Sequence, residues 1–162
     1  MRIELDDSAI CDEILALTAL RNSGRRDCAE EAMLLTRDSL PGLRNMVRMM
    51  FSETMVELHG YVRTCDLDEG DAIPNLPYDD QSVMRLMVEL ESGGEPPSGM
   101  ALAMKRTLEH VVAAKVLEAV AGVGDVDFAD SLKTQYVAAM DGLRNTLGNL
   151  ACIPPVVAGH RF

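Results

Sequence analysis

The sequence predicts a mainly α fold: an antiparallel helical bundle of four principal helices, with a small β element inserted between the second and third. Apolar residues recur at helical spacing over most of the 162 residues, the pattern of amphipathic helices. One stretch, "VMRLMVELE" at residues 83–91, also alternates like a half-buried strand. The length fits one domain with its own core. We assign residues 1–152 to that domain and residues 153–162 to an extended C-terminal tail.

The first predicted helix covers Asp7–Arg21. Asp6 and its neighbours offer N-caps, because a carboxylate or hydroxyl can accept the unpaired amide hydrogens of a first turn. Asn22–Gly24 interrupts the apolar pattern and ends this helix. A shorter helical pattern starts near Cys28 and runs through "AEEAMLLTRDSL".

The second principal helix begins near Leu40, with Ser39 as its cap. Proline is tolerated in the first turn of a helix and not in its interior, so Pro41 marks a new start. The helix runs to Gly60, a candidate terminator. Its predicted buried face holds Leu43, Val47, Met50, Phe51, Thr54 and Leu58.

A loop follows over residues 63–82, because Gly70, Pro74 and Pro77 leave little room for regular structure. The next stretch, at 83–91, supports two interpretations. As a strand it places Leu86, Val88 and Leu90 on one side. As a helix capped near Ser82 it also shows apolar spacing of three and four, so its own residues do not decide between the two.

The last two helices form a predicted hairpin. The third helix covers about Ser98–Ala121, and its second half is apolar nearly all round, which is typical of a helix in the middle of a bundle. Gly122 ends it, and either Asp125 or Asp127 caps the fourth helix. That helix keeps a regular apolar spacing as far as Leu150, and the short connection predicts an antiparallel pair.

Composition and charge bear on which partners and which cellular compartment the protein can have. The formal charge of −11 argues against binding to phosphate backbones and suits a basic partner or simple solubility. No apolar run approaches the roughly 20 residues that span a bilayer, so we expect no membrane partner. The four cysteines form no CxxC pair and are interpreted as reduced thiols. These features predict a cytoplasmic protein, or a virion protein if the gene derives from a phage.

The sequence contains no recognisable catalytic, cofactor or metal signature. Glu57 lies two residues from His59 and Glu109 is adjacent to His110, whereas a helical metal site needs the three-residue spacing that puts both ligands on one face. "AGVGDVD" follows no strand, so it fails the context of a phosphate-binding loop. We therefore expect a non-enzymatic protein with no cofactor and no metal.

Two groups of residues form the predicted interaction surface. Arg37, Arg44 and Arg48 are spaced by seven and four residues and could form a basic ridge that docks an acidic partner, although a solvated helix face gives the same pattern. Three residues of the alternating stretch complete the surface: Arg85, Met87 and Glu89.

The layout over about residues 10–150 resembles small prophage-encoded helical proteins of Bacteroides-type gut bacteria. The similar segments are "ALTALRNSGRRD", "VMRLMVELE", "SGGEPPSG" leading into "MALAMKRTLEHVVAAKVLEA", and "DFADSLKTQYVAAMDGLRNTL". The resemblance favours the strand at 83–91, either in a hairpin with part of Arg63–Asp80 or as an edge for a neighbouring subunit. It implies a head-completion or head–tail connector-like protein of virion assembly, acting as a homo-oligomer or with other structural proteins. The alternative is a cytosolic helical adaptor or regulatory protein.

Overall fold

Four helices pack together beside a three-stranded antiparallel sheet. The computed structural model describes residues 1–24, 35, 39–67, 85–90, 97, 99–122 and 124–151. The elements in chain order are β1 Arg2–Asp6, α1 Asp7–Gly24, α2 Leu40–Glu57, β2 Val62–Leu67, β3 Arg85–Leu90, α3 Met100–Ala121 and α4 Val126–Ala151. The predicted fold class is therefore confirmed. The helical pattern near Cys28 and the tail at 153–162 lie outside the described residues.

The predicted starts and ends of the helices agree closely with the structure. Asp6 caps α1, since its Oδ1 accepts the amide hydrogen of Ser8 at 2.9 Å. Asp125 rather than Asp127 caps α4, because Asp125 Oδ1 accepts the amide hydrogen of Phe128 at 3.2 Å. α2 ends at Glu57, three residues before the predicted terminator Gly60.

α3 is the central helix, as its apolar composition predicted. Residues 111–117 are all buried, including Lys115. The helix contacts α1, α2, α4 and β1, and α4 packs back against it through the short connection at 122–125. The second half of α3 therefore has neighbours on nearly every side and no polar solvent face over residues 111–117.

The strand interpretation of the alternating stretch is confirmed, and the helical alternative is wrong. β3 pairs antiparallel with β2 on one side and with β1 on the other, which gives the order β1-β3-β2. Leu86, Val88 and Leu90 are fully buried. The hairpin with part of Arg63–Asp80 is therefore formed by β2. As the central strand, β3 offers no edge to a neighbouring subunit.

β1 was not predicted, and β2 was expected only as one of the two alternatives that the resemblance implies. Residues 63–67 were assigned to a loop and instead form most of β2. At the N-terminus, Ile3 and Leu5 are buried opposite Val88 and Leu86, and they alternate with exposed polar residues. β1 has only five residues, and its partner strand, Arg85–Leu90, lies far along the chain. A pattern of five residues does not predict which strand it will pair with.

Candidate functional site

The predicted basic ridge does not form as a surface feature, because Arg44 is buried. Its Nε lies 3.6 Å from Asp7 Oδ2, and both side chains are almost completely covered between α1 and α2. Arg48 is partly buried on the same side of α2, and burial lowers the pKa of its guanidinium, against the opposing influence of Asp7. Arg37 lies outside the described residues. The prediction that Arg44 belongs to an exposed docking surface was therefore wrong, since helical spacing alone does not say which face is covered.

The remaining predicted surface residues lie in the sheet. Arg85, Met87 and Glu89 belong to the central strand, where their backbones pair with Asp6, Glu4 and Arg2. The Glu89 side chain is partly exposed and lies 3.9 Å from Arg63 Nη1. The side chains of Arg85 and Met87 are not among those described, so their part in an interaction surface stays a prediction.

Most of the buried charged groups join helices to one another. Arg21 of α1 donates to Asp125 at the start of α4, with Nε 2.7 Å from Oδ2, and its guanidinium lies 5.6 Å from the ring centroid of Phe128. Lys115 of α3 pairs with Glu57 of α2 and lies 5.4 Å from the ring centroid of Tyr136. These contacts fix the relative positions of all four helices.

His110 and Glu109 are neighbouring polar residues of α3, and His110 contacts α1. His110 Nδ1 lies 2.7 Å from Glu13 Oε1. Glu109 is largely buried, and burial raises the pKa of its carboxyl although Lys105, at 3.7 Å, acts in the opposite direction. Within the described ranges, no group of three His, Cys, Asp or Glu side chains could hold a metal ion.

The most distinctive surface feature is the side of α2 that points away from the core, which we call the α2 outer face. It is a shallow, open surface region lined by Met49, Ser52, Glu53, Val56 and Glu57. Met49 is 51% exposed and Val56 is 70% exposed. These two residues lie opposite Val47, Phe51 and Leu58, which are fully buried. The opposed arrangement gives α2 apolar side chains on both faces.

The α2 outer face was present as a signal in the sequence but was not recognised there. Met49 and Val56 are seven residues apart, which places them on one side of a helix after two turns. Neither belongs to the predicted buried face of this helix. Apolar residues at a regular spacing outside the core face are the signal that could have identified it.

Carboxylates border this face. Glu57 contacts both Lys115 and Arg144, whose Nη2 lies 3.6 Å from Glu57 Oε2. Burial raises the pKa of Tyr136 on α4, and the charges of Glu118, Glu57 and Glu53 raise it further. The carboxylates around Tyr136 are therefore accompanied by two cations, Lys115 and Arg144.

The other large exposed apolar side chains are spread over several helices. They are Leu20, Leu102, Val126 and Val137. Single exposed apolar residues are ordinary on protein surfaces and need no functional explanation. None of the helices in the described part of the chain combines the length and the apolar content that crossing a bilayer requires.

Comparison of the chain with protein-family models, with curated proteins and with solved structures finds no match.

Proposed function

We propose that this chain is a non-enzymatic structural or assembly protein that acts through protein–protein contacts of the α2 outer face. The observation that supports this function is the pair Met49 and Val56, exposed two turns apart on one side of a helix whose opposite face already fills the core. Exposed apolar side chains that share one side of a helix and are bordered by polar residues are a feature of interaction surfaces. Methionine suits such a surface because its flexible, polarisable side chain adapts to different partners.

The charged interior is consistent with a structural role. Arg21 and Asp125 join α1 to α4, Arg44 and Asp7 join α2 to α1, and Lys115 joins α3 to Glu57 on α2. A buried pair makes one relative position of two helices preferable to others, since any shift leaves a charge without its partner. A scaffold held in this way presents the α2 outer face in one geometry.

The phage-derived part of the proposal rests on the resemblance in layout to small prophage-encoded helical proteins. That resemblance supports a head-completion or head–tail connector-like role, in which the contacts are with further copies or with other structural proteins of the virion. Light scattering over a range of concentrations measures the first kind of contact.

Photo-crosslinking measures both kinds. A photoreactive side chain replaces Met49 on the α2 outer face and, as the matched control, Val137 on α4, which is 45% exposed. We expect position 49 to crosslink to a second copy or to a structural protein identified by mass spectrometry, and position 137 to give neither product. A strictly monomeric protein that crosslinks to nothing from position 49 contradicts the proposed function.

A cytosolic adaptor or regulatory protein is the second candidate, favoured by the acidic border of the face and the formal charge of −11. Such a protein would use the same surface for a soluble partner. Two observations distinguish the candidate functions: the identity of the protein that crosslinks to position 49, and the identity of the neighbouring genes. Portal, capsid or tail genes beside this one favour the first candidate, and a soluble regulator recovered with no phage gene nearby favours the second.

A further inference from the structure

The spacing along the α2 outer face suits a helical partner. Met49 and Val56 are seven residues apart, or about 10.5 Å at the usual rise of a helix. The small side chain of Ser52 lies between them and leaves room for a neighbouring backbone. A helix lying along α2 would therefore meet two apolar positions at the seven-residue repeat that its own apolar side chains can match.

The charge of the face restricts which helix can bind there. Glu53 is exposed, and within the described residues it forms no ion pair. Glu57 is already paired with both Lys115 and Arg144, so Glu53 is the carboxylate of this face that is available to a partner. The exposed Glu53 and the formal charge of −11 on the chain favour a cationic partner and disfavour an anionic one.

A second copy of this chain fits the face poorly. Packing two α2 outer faces against each other would bring the carboxylates of both copies to the same interface. The formal charge of −11 on each chain adds a longer-range repulsion. Anionic lipid surfaces and nucleic acids are disfavoured for the same reason.

We propose that the occupant of the α2 outer face is a basic amphipathic helix of a partner protein. Its apolar side chains contact Met49 and Val56, and a lysine or arginine side chain lies beside Glu53. This inference rests on the proposed function and adds the chemistry of the partner. Helix-in-groove binding of this kind combines apolar anchors at one face with flanking charges that set specificity.

The test uses the full chain and three synthetic peptides of about 20 residues, long enough for a helix of several turns. The first has leucine at a heptad repeat with lysine at the flanking positions. The second has glutamate in place of every lysine. The third has the composition of the first in an order that removes the apolar face. Fluorescence anisotropy measures binding, and we expect only the first peptide to bind, more weakly at about 500 mM salt than at about 50 mM.

Matched variants assign the binding to the α2 outer face. We expect Glu53→Lys and Val56→Asp each to weaken binding of the first peptide by about tenfold or more, as the loss of a central interface contact does. Asp130→Lys and Val137→Asp make the same chemical changes on exposed positions of α4, and we expect wild-type affinity from both. Glu53→Lys should also gain affinity for the glutamate peptide. Circular dichroism confirms that each variant is folded.

Three results would overturn the inference. The first is that the lysine peptide does not bind. The second is that the two control variants weaken binding as much as the two test variants do. The third is that light scattering shows a dimer of the chain, which Val56→Asp dissociates. In the last case the occupant is a second copy, and the proposed function stands without its partner chemistry. If the chain binds no peptide, remains monomeric and crosslinks to nothing from position 49, the proposed function fails as well.

Discussion

Replacing Asp125 by alanine removes two interactions at one end of the bundle. Its carboxylate caps α4 through the amide of Phe128, and it accepts from Arg21 of α1 at 2.7 Å. The side chains of Arg21 and Asp125 are only 7% and 6% exposed. Solvent therefore screens the pair weakly, and the variant leaves a guanidinium buried without this carboxylate.

The two losses can be given magnitudes. Removing one partner of a buried pair costs about 3–5 kcal/mol, and losing an aspartate N-cap costs about 1 kcal/mol. The sum is a large part of the roughly 5–15 kcal/mol that stabilises an ordinary domain. For a chain of this length each kcal/mol lowers the melting temperature by about 2–4 °C, so we expect a drop of roughly 10–20 °C.

Urea unfolding followed by circular dichroism measures the change in the free energy of unfolding. Asp127→Ala is the matched control, because this carboxylate is exposed in the same first turn of α4, and its loss should cost less than about 1 kcal/mol. A double-mutant cycle with Arg21→Met isolates the contribution of the pair. If Asp125→Ala costs no more than Asp127→Ala, or if the two changes in the cycle are additive, the assigned role of the pair is refuted.

Three further predictions follow from buried groups. Phe51→Ala opens a cavity under α2, where Phe51 is fully buried, and should lower the free energy of unfolding by about 3–5 kcal/mol in urea titrations; a loss below about 1 kcal/mol would contradict this packing. Burial raises the pKa of Cys11 to about 11, so little of this thiol is in the reactive thiolate form at about pH 8. In a variant whose other cysteines are serine, iodoacetamide should therefore react slowly with the folded protein and quickly with the protein unfolded in urea. Burial raises the pKa of Glu109, so the folded state holds this proton more tightly than the unfolded chain. The stability that this group contributes is then lost as pH rises from about 4 through the raised pKa. Glu109→Gln should make the urea midpoint of unfolding depend less on pH over that range. An unchanged pH dependence in this variant would argue against the raised pKa.

The helices could be predicted because their signals are local. Proline in a first turn, aspartate at a cap and glycine after the last apolar residue act within a few residues, and they located α2 at Leu40 and the end of α3 at Ala121. The apolar spacing of α4 named buried residues such as Leu132, Met140 and Leu147. Such patterns need no knowledge of what the helix packs against.

The sheet was only partly predictable. The alternation in 83–91 allowed a strand and did not require one, since leucine, methionine and glutamate are also good helix formers. What stabilises β3 is hydrogen bonding to β1 and β2 on its two sides, and one of those partners is at the other end of the sequence. Pairing over such a distance depends on how the helices bring the chain together.

The candidate site, like the sheet, was predicted only in part. Spacing identified α2 as amphipathic and assigned Phe51 and Val47 correctly to the core. It also put Arg44 on the surface, where the structure instead buries it against Asp7. The width of the buried face depends on how many neighbours a helix has, and here α1 covers one flank of α2 and α3 the other.

The sequence by itself determined four helices, their approximate limits and the apolar residues that fill the core, because each of these follows from spacing within a few turns. Only the tertiary structure decided that β3 lies between β1 and β2, that Arg44 and Lys115 are buried in ion pairs, and that Met49 and Val56 stay exposed. These outcomes depend on which elements meet across long stretches of chain. A side chain is buried or exposed according to its neighbours in space, and the local pattern names those neighbours only in part.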